Sequence, residues 1–365
     1  MKFCVLSSDP LYKYFEKGEI KPRYWNPEEI FDEVCVFSFC EQDIEPAKVQ
    51  QLVGGARLHI VPIGPPNPLK LYQQYRRVRQ VVGNFKPDLI RVHNPWHAGV
   101  VGVRAARAAG VPVLLSLHTH YGARRRLERR FLLQLLRVFE RYSIRRADQV
   151  LCVSHYLSDY ARKMGAKSVE VIYNRVYTEQ FANCFPKEKK RPLILSVGRL
   201  DPPKDQACLV RAIQGLDADL LLVGDGVNRS KLEKLVEQLG LEGQVNFAGA
   251  VPHGDIQDYY ARADLFAIAT HYEGFCIPVL EAMAAGLPVV VSATEPLPEV
   301  LGGTGKVAEL TPEGFHQAFA ELLGKPQETA LLSKAARKRA EGLDGALMEA
   351  REAALYQSLI KGGKQ

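Results

Sequence analysis

The chain has 365 residues, 47% of them hydrophobic, which is enough apolar material for two cores of ordinary size. Its apolar runs are too short for a membrane-spanning helix and no signal-peptide core follows the first strand-like residues, so we expect a cytoplasmic protein. Seven cysteines without a CxxC pair argue against a disulfide framework and against a zinc knuckle.

The positive charge of the chain is concentrated in its first half. Residues 1–182 contain 28 Lys and Arg against 17 Asp and Glu, a balance of +11, whereas residues 183–365 contain 20 against 24, a balance of −4. This asymmetry indicates that the first half faces an anionic partner. A membrane surface, an acidic acceptor and nucleic acid are all candidates.

In chain order, the first half alternates short apolar runs with helical segments such as residues 99–109. The apolar runs are residues 3–6, 34–37, 58–61, 89–92, 113–117 and 150–153. Continuous apolar runs of this length are typical of parallel strands that are buried on both faces of a sheet. We therefore predict a doubly wound, Rossmann-like α/β domain over residues 1–182.

A polar, lysine-rich segment at residues 183–192 interrupts this pattern and predicts a linker. The strand and helix alternation then resumes, with apolar runs at residues 193–197, 220–223, 245–247, 265–268 and 289–291. We predict a second doubly wound domain over residues 183–345.

The end of the chain, residues 328–360, is rich in Ala, Leu, Lys and Arg and predicts helix that is broken near Gly342 and Gly345. Its last part, about residues 346–365, is expected to pack back on the first domain. Two such domains would face each other across a cleft at the carboxyl ends of their strands, where doubly wound folds bind ligands.

Two cations follow the first strand of the second domain on one loop. Arg199 can make a forked contact to phosphate oxygens and Lys204 adds a compact charge, so the pair suits a diphosphate. Two exposed basic residues of a loop are the competing interpretation. After the next strand, Gly224 and Gly226 allow close approach of a backbone or an anion before a helix begins.

The segment from residue 270 to residue 291 carries the strongest pattern. Pro278 suits the first position of a helix and Gly286 the position after its end, which predicts a short helix over residues 278–285. Glu273 precedes this helix and Glu281 lies within it. Carboxylates accept hydrogen bonds from adjacent sugar hydroxyls. Backbone amides at the start of the helix should point to the same place, namely those of Gly274, Phe275 and Cys276.

These motifs, together with residues 285–290 and 297–300, resemble the retaining GT-B glycosyltransferases of the group 1 (GT4) family. The resemblance implies that Arg199 and Lys204 bind the diphosphate of the donor, that Glu281 binds the ribose, and that Glu273 binds a hydroxyl of the transferred sugar. It further implies that the nucleobase packs near Val251 and that no metal or other cofactor is needed.

The first half resembles this family more loosely. His118, at the end of a predicted strand, is similar to the family histidine that reaches the donor sugar, although a structural histidine is the alternative; His93, His97 and His120 are weaker candidates. The family usually has a glycine-rich loop where this chain has Ser8, and an Asn-Gly pair where it has Asn174 and Arg175. Ser8 and Asn174 are counted among the predicted substrate-binding residues.

Residues 121–146 contain nine arginines among apolar residues. Such a basic amphipathic segment could rest on an anionic membrane surface, which would make the protein peripheral at the inner face of the membrane. A solvated helix with its apolar side in the core is the alternative.

The preferred prediction is a retaining glycosyltransferase that moves a sugar from a nucleoside diphosphate sugar to a hydroxyl of an unknown acceptor. A nucleotide-sugar epimerase of the same fold and a non-catalytic nucleotide-sugar binding protein are the alternatives. No aromatic and basic recognition module indicates a nucleic-acid partner.

Overall fold

The computed structural model describes residues 1–7, 9–128, 131–181 and 191–363, with the side chains of residues 127, 128, 131–133 and 135 excepted. Ser8 and the predicted linker residues 183–190 lie outside this part of the chain. The fold divides into two compact units, unit 1 with Met1–Tyr173 and Met348–Gln365, and unit 2 with Asn174–Leu347.

Unit 1 is built on a parallel sheet of seven strands in the order β3-β2-β1-β4-β5-β6-β7. The strands are β1 (Lys2–Leu6), β2 (Glu33–Ser38), β3 (Arg57–Pro62), β4 (Leu89–Val92), β5 (Val113–Leu117), β6 (Gln149–Cys152) and β7 (Val169–Val171). The first six match the predicted runs. The seventh was not predicted, because it has three half-buried residues at the edge of the sheet and no continuous apolar pattern.

Among the described residues, the α-helices between these strands are α1 (Leu11–Glu16), α2 (Leu71–Phe85), α3 (His97–Ala109), α4 (Tyr121–Glu128), α5 (Phe131–Arg146) and α6 (His155–Met164). Helices α2, α3 and α5 each lead to a strand further along the sheet in the same direction, so right-handed crossovers place them on one face. Helix α3 packs between α2 and α5.

Unit 2 is built on a parallel sheet of six strands in the order β10-β9-β8-β11-β12-β13. The strands are β8 (Leu193–Val197), β9 (Asp219–Val223), β10 (Val245–Gly249), β11 (Leu265–Ile268), β12 (Val289–Ser292) and β13 (Lys306–Ala308). The helices are α7 (Gln206–Ala212), α8 (Arg229–Gln238), α9 (Ile256–Arg262), α10 (Ile277–Ala284), α11 (Leu297–Leu301), α12 (Pro312–Gly324) and α13 (Pro326–Glu341). Strand β13 was missed, again as a three-residue edge strand.

The last helix, α14 (Gly345–Gly362), is separated from α13 by the break that the two glycines predict. Its buried side chains Met348, Tyr356 and Ile360 belong to the hydrophobic core of unit 1. The Tyr356 ring lies 5.4 Å from the ring of Phe3 in β1. Among the described residues, no helix is both long enough and apolar enough to cross a membrane.

The chain passes from unit 1 to unit 2 between Tyr173 and Asn174, ahead of the predicted boundary at 182 and 183. Residues 174–181 belong to unit 2 because they pack there: Phe181 is buried, with its ring 5.5 Å from that of Tyr260. Thr178 also donates a hydrogen bond to Asp344 at 2.7 Å. The chain returns to unit 1 after Leu347, two residues beyond the predicted position.

Candidate active site

The loop after β8 is joined to the loop after β11, because these strands are neighbours in the sheet and their carboxyl ends share one edge. The backbone N–H of Asp205 donates to the carbonyl of Ala269 at 2.9 Å, and that of His271 donates to the carbonyl of Pro203 at 2.8 Å. This backbone pairing fixes Lys204 beside the segment that begins α10.

Lys204 forms an ion pair with Glu273, and its Nζ atom lies 3.9 Å from the Sγ atom of Cys276. The Lys204 and Glu273 side chains are only 18% and 14% exposed. Burial by itself would lower the pKa of the Lys204 ammonium, but Cys276 and the Glu273 carboxylate raise it above its ordinary value. Lys204 is therefore a fixed cation that is shielded from water.

Arg199 differs from Lys204 in its exposure, although both lie on the same loop. Its side chain is 79% exposed and pairs with Asp201 at 2.8 Å. The exposed guanidinium is free to reorient at little cost, because surface ion pairs contribute little stability. The two predicted diphosphate ligands thus combine one rigid, shielded charge with one solvated charge.

The two glycines after β9 are required by the backbone that lies against them. Gly224 has a φ of 133°, and a Cβ atom there would lie 2.1 Å from the carbonyl oxygen of Gly198. A Cβ atom on Gly226 would lie 2.6 Å from the carbonyl oxygen of Leu200. The approaching backbone is that of the Arg199 loop, so these glycines act by positioning that loop.

Helix α10 begins at Ile277 and ends at Ala284, within one residue of the prediction, and Gly286 follows with a φ of 73°. Gly274, Phe275 and Cys276 are buried at its start. Cys276 has a φ of 76°, a left-handed conformation that favours glycine. Burial raises the pKa of the Cys276 thiol to about 12.

Glu281 is 3% exposed, and both of its carboxylate oxygens have partners. The Tyr260 hydroxyl donates to Oε2 at 2.8 Å, and the Nε2 atom of His253 lies 3.0 Å from Oε1. The buried tyrosine fixes the orientation of the carboxylate, whereas the His253 side chain is 36% exposed. The partly exposed His253 ring therefore lies between Glu281 and solvent, and a ligand would reach the carboxylate from this side.

Two further predicted residues of unit 2 are partly buried. Val251 lies between β10 and the turn that carries His253, two residues before the histidine that contacts Glu281. Asn174 is the first residue of unit 2 and precedes residues that pack against α9 and α10.

His118 directly follows β5 in unit 1, and its ring stacks on that of His93 with 5.5 Å between centroids and 8° between planes. Among the described residues, the buried Nε2 atom of each ring has no hydrogen-bond partner. Burial, together with the charge of Arg91, lowers the pKa of His118 to about 4 and also lowers the pKa of His93. Both imidazoles are therefore neutral near pH 7.

The other two histidine candidates have local structural contacts. The Nδ1 atom of His120 accepts a hydrogen bond from the backbone N–H of Ala123 at 2.9 Å, so it caps the start of α4. Its ring centroid lies 4.0 Å from that of Tyr160. The Nε2 atom of His97 lies 2.5 Å from the Oε1 atom of Gln74.

The basic segment at residues 121–146 does not present all of its arginines to solvent. Arg125 is buried, forms an ion pair with the fully buried Glu140 and donates to the Tyr160 hydroxyl at 3.1 Å. Arg124 lies over the ring of Trp96 at 5.4 Å. Arg129 and Arg130 lie outside the described residues. Arg125 therefore agrees with the alternative prediction, in which one side of this segment packs in the core.

Two family models match adjacent parts of the chain. The model for glycosyl transferases group 1 matches residues 178–339, and the model for glycosyltransferase family 4 matches residues 32–180. The chain belongs to the group 1, family 4 glycosyltransferases. The family that the motifs predicted is confirmed.

Named glycosyltransferases of other organisms are similar in sequence. O-antigen chain mannosyltransferase B of Escherichia coli is 38% identical over 159 residues, which are 40% of this chain and 41% of that protein. A GDP-mannose-dependent phosphatidylinositol monomannoside mannosyltransferase of Mycolicibacterium smegmatis is 28% identical over 287 residues, 72% of this chain and 74% of that protein. The first match therefore spans less than half of the relative.

Solved structures confirm the fold. Anabaena HepE in complex with UDP and glucose superposes with a TM-score of 0.79, at 22% identity, over 98% of this chain and 100% of that one. The predicted GT-B class, with two Rossmann-like α/β domains, is confirmed.

Sequence reasoning missed two residues of this candidate site, Tyr260 and His253. They lie 21 and 28 residues before Glu281, and neither belongs to a motif. The one available signal was the position of His253, two residues after Val251, where the nucleobase was expected.

Proposed function

We propose that this glycosyltransferase transfers a sugar from a nucleoside diphosphate sugar to a hydroxyl of an acceptor, with retention of configuration at the anomeric carbon. The observation that carries the proposal is the pairing of Lys204 with Glu273 at the start of α10, the helix in which Glu281 is buried and oriented. The cation suits the diphosphate of such a donor. The two carboxylates suit the hydroxyls of the ribose and of the sugar, which lie on either side of the diphosphate.

In this proposal, Lys204 and Arg199 bind the diphosphate and neutralise the charge that grows on it as the sugar departs. Lys204 is already charged and shielded, so little reorganisation is needed when phosphate oxygens approach. Its Glu273 partner then accepts a hydrogen bond from a hydroxyl of the transferred sugar. Because these residues supply the positive charge, we expect turnover without a divalent metal.

Glu281 is proposed to bind the ribose diol. Tyr260 holds one carboxylate oxygen and stays in place, while ribose hydroxyls take the side that His253 covers. Val251 is proposed to contact the nucleobase. The M. smegmatis relative is named for GDP-mannose and the Anabaena structure holds UDP, which supports a nucleoside diphosphate in general.

For the acceptor step we assign no protein nucleophile. Retention is proposed to arise from attack on the face that the diphosphate leaves, with a phosphate oxygen taking the proton of the acceptor hydroxyl. His118 is proposed to hydrogen-bond the sugar as a neutral imidazole, with the unpartnered Nε2 atom as its contact. The net positive charge of residues 1–182 supports peripheral contact with an anionic membrane surface at the cytoplasmic side.

A ligand screen tests this proposal. The full chain is heated with UDP, GDP, ADP and dTDP and with their common sugar conjugates, because a ligand that binds only the folded protein raises the melting temperature. The stabilising conjugate is then incubated with candidate acceptors, with and without a chelator, and the product anomer is identified by proton NMR. Stabilisation and a retained anomer in chelator support the proposal. Conversion of the sugar without an acceptor would instead show an epimerase.

A further inference from the structure

Helices α2, α3 and α5 form a continuous surface on one face of the unit 1 sheet, which we name the basic face. The guanidinium of Arg104 on α3 lies 4.9 Å from the ring centroid of Tyr75 on α2. The Nη1 atom of Arg107 on α3 donates to the carbonyl of Arg146 on α5 at 3.4 Å. These contacts join the outer sides of the three helices.

The basic face carries cations with almost no anions. Residues 46–127, which include α2 and α3, contain thirteen Lys and Arg, of which Arg91 and Arg125 are buried. Their one acid is Asp88, which accepts a hydrogen bond from the backbone of Lys2. Helices α2 and α3 have no acid, and Glu140, the one acid of α5, is buried and paired with Arg125. The exposed arginines of the basic face are Arg76, Arg77, Arg79, Arg104, Arg107, Arg137, Arg141, Arg145 and Arg146.

Apolar side chains are exposed beside these cations. Leu69 is 93% exposed and Tyr72 is 65% exposed, at the start of α2, with the exposed Lys70 between them. Val138 on α5 is 70% exposed. Apolar side chains that project among basic ones are typical of surfaces that insert shallowly into an anionic lipid interface. A nucleic-acid phosphate backbone would offer them no apolar contact.

We propose that the basic face docks on an anionic lipid bilayer, with Leu69 and Tyr72 entering the interface and the arginines of α2 contacting lipid headgroups. This inference deepens the proposed function, on which it rests. The start of α2 follows β3 and His118 follows β5, so both lie at the carboxyl edge of the unit 1 sheet. Docking there would bring that edge to a lipid-borne acceptor.

The basic face overlaps the segment predicted at residues 121–146 only in α5, and it adds the exposed cations of α2 and α3. Replacement of Arg124, Arg125 and Arg126 together would remove the partner of the buried Glu140, so lost binding could not be distinguished from misfolding. Arg76 and Arg79 are exposed on a helix without acids, which makes them suitable positions for a test.

The experiment measures sedimentation of the full chain with phosphatidylcholine vesicles that contain or lack phosphatidylglycerol, at low and high salt. Each cation near an anionic surface contributes about fivefold to binding. R76S/R79S should therefore weaken binding to the anionic vesicles at least about tenfold. L69S/Y72S should weaken the binding to anionic vesicles at both salt concentrations, because the contacts that it removes are apolar and salt does not screen them. The matched control K334S/K338S removes two exposed cations from α13 and should bind as the parent does.

Equal binding to both kinds of vesicle, or equal losses in R76S/R79S and its control, would overturn the inference. Tighter binding to double-stranded DNA than to anionic vesicles, unaffected by L69S/Y72S, would overturn it in favour of a nucleic-acid surface. Melting temperatures with nucleoside diphosphate separate the two proposals. Vesicle binding that fails while the nucleotide sugar is still turned over contradicts only the docking. Vesicle binding that persists without turnover of any nucleotide sugar contradicts the proposed function.

Discussion

The two glutamates of the candidate site have different surroundings, although Glu273 lies just before the short helix α10 and Glu281 lies within it. Glu273 faces the shielded cation of Lys204, whereas Glu281 faces the hydroxyl of Tyr260 and the ring of His253. A substitution at Glu273 therefore changes the charge balance where the diphosphate is proposed to bind. A substitution at Glu281 removes a preoriented hydrogen-bond acceptor where the ribose is proposed to bind.

Glu281→Ala should weaken the binding of the nucleoside diphosphate itself, because the ribose is present in donor and product alike. The loss of a charged hydrogen-bonding group costs about 1.5 to 3 kcal/mol, or roughly ten- to a hundredfold in Kd. Tyr260→Phe keeps the carboxylate and should cost less, about 0.5 to 1.5 kcal/mol. Calorimetry on both variants checks the order. An unchanged Kd for Glu281→Ala would remove Glu281 from the donor site.

Glu273→Gln should leave the affinity for nucleoside diphosphate unchanged or raise it, because the diphosphate then has no competing carboxylate at Lys204. Turnover of the intact donor should fall about tenfold or more, since the transferred sugar loses a charged hydrogen-bond acceptor. Calorimetry and initial rates separate the two effects. A large loss of nucleoside diphosphate affinity with unchanged turnover would show that the roles of the two glutamates are reversed.

The sequence predicts which of these side chains carry chemistry, but it does not predict their partners. Lys204 and Glu273 are 69 residues apart, and they meet because β8 and β11 are neighbours in the sheet. Tyr260 reaches Glu281 from a helix that carries no motif. The unequal exposure of Arg199 and Lys204 also depends on the folded loops. The motif alone therefore does not distinguish the two cations.

At the scale of elements, the strands that the sequence predicts are four to six residues long, and they include the edge strands β3 and β10. The two missed strands, Val169–Val171 and Lys306–Ala308, have only three residues each, and a charged residue in each leaves no apolar run to read. The short helix α10 was predicted almost to the residue, because Pro278 and Gly286 mark its two ends.

Gly224→Ala should destabilise the folded protein by about 1 to 3 kcal/mol, because the new methyl group meets the backbone carbonyl of Gly198 and the φ of this residue disfavours a side chain. Gly243→Ala is a suitable control, since nothing lies within 4 Å of a Cβ atom there. Chemical denaturation of both variants measures the free energy of unfolding. Equal stabilities would mean that the Arg199 loop does not lie against Gly224.

At the scale of the whole molecule, composition predicts a linker, but tertiary contacts decide where each unit ends. The polar residues after 182 suggested the boundary, yet Phe181 already packs against Tyr260 of unit 2. The last helix belongs to unit 1 for a similar reason. Arg91, buried in β4, forms an ion pair with Glu352 of α14 and donates to the Ser116 hydroxyl at 2.8 Å.

Glu352→Ala should destabilise unit 1 selectively, because it leaves the buried Arg91 charge without its partner. Breaking a buried ion pair costs about 3 to 5 kcal/mol, whereas loss of the exposed pair between Arg351 and Glu170 on the same helix should cost under about 1 kcal/mol. Arg351→Ala is therefore the matched control. The double variant R91M/E352L removes both charges and should recover most of the stability.

Hydrogen exchange measured by mass spectrometry should show lost protection in β1 and β4 of Glu352→Ala and unchanged protection in β8 and β9. Equal loss of protection in both sheets would mean that the Arg91 and Glu352 pair stabilises the whole chain and not unit 1 alone.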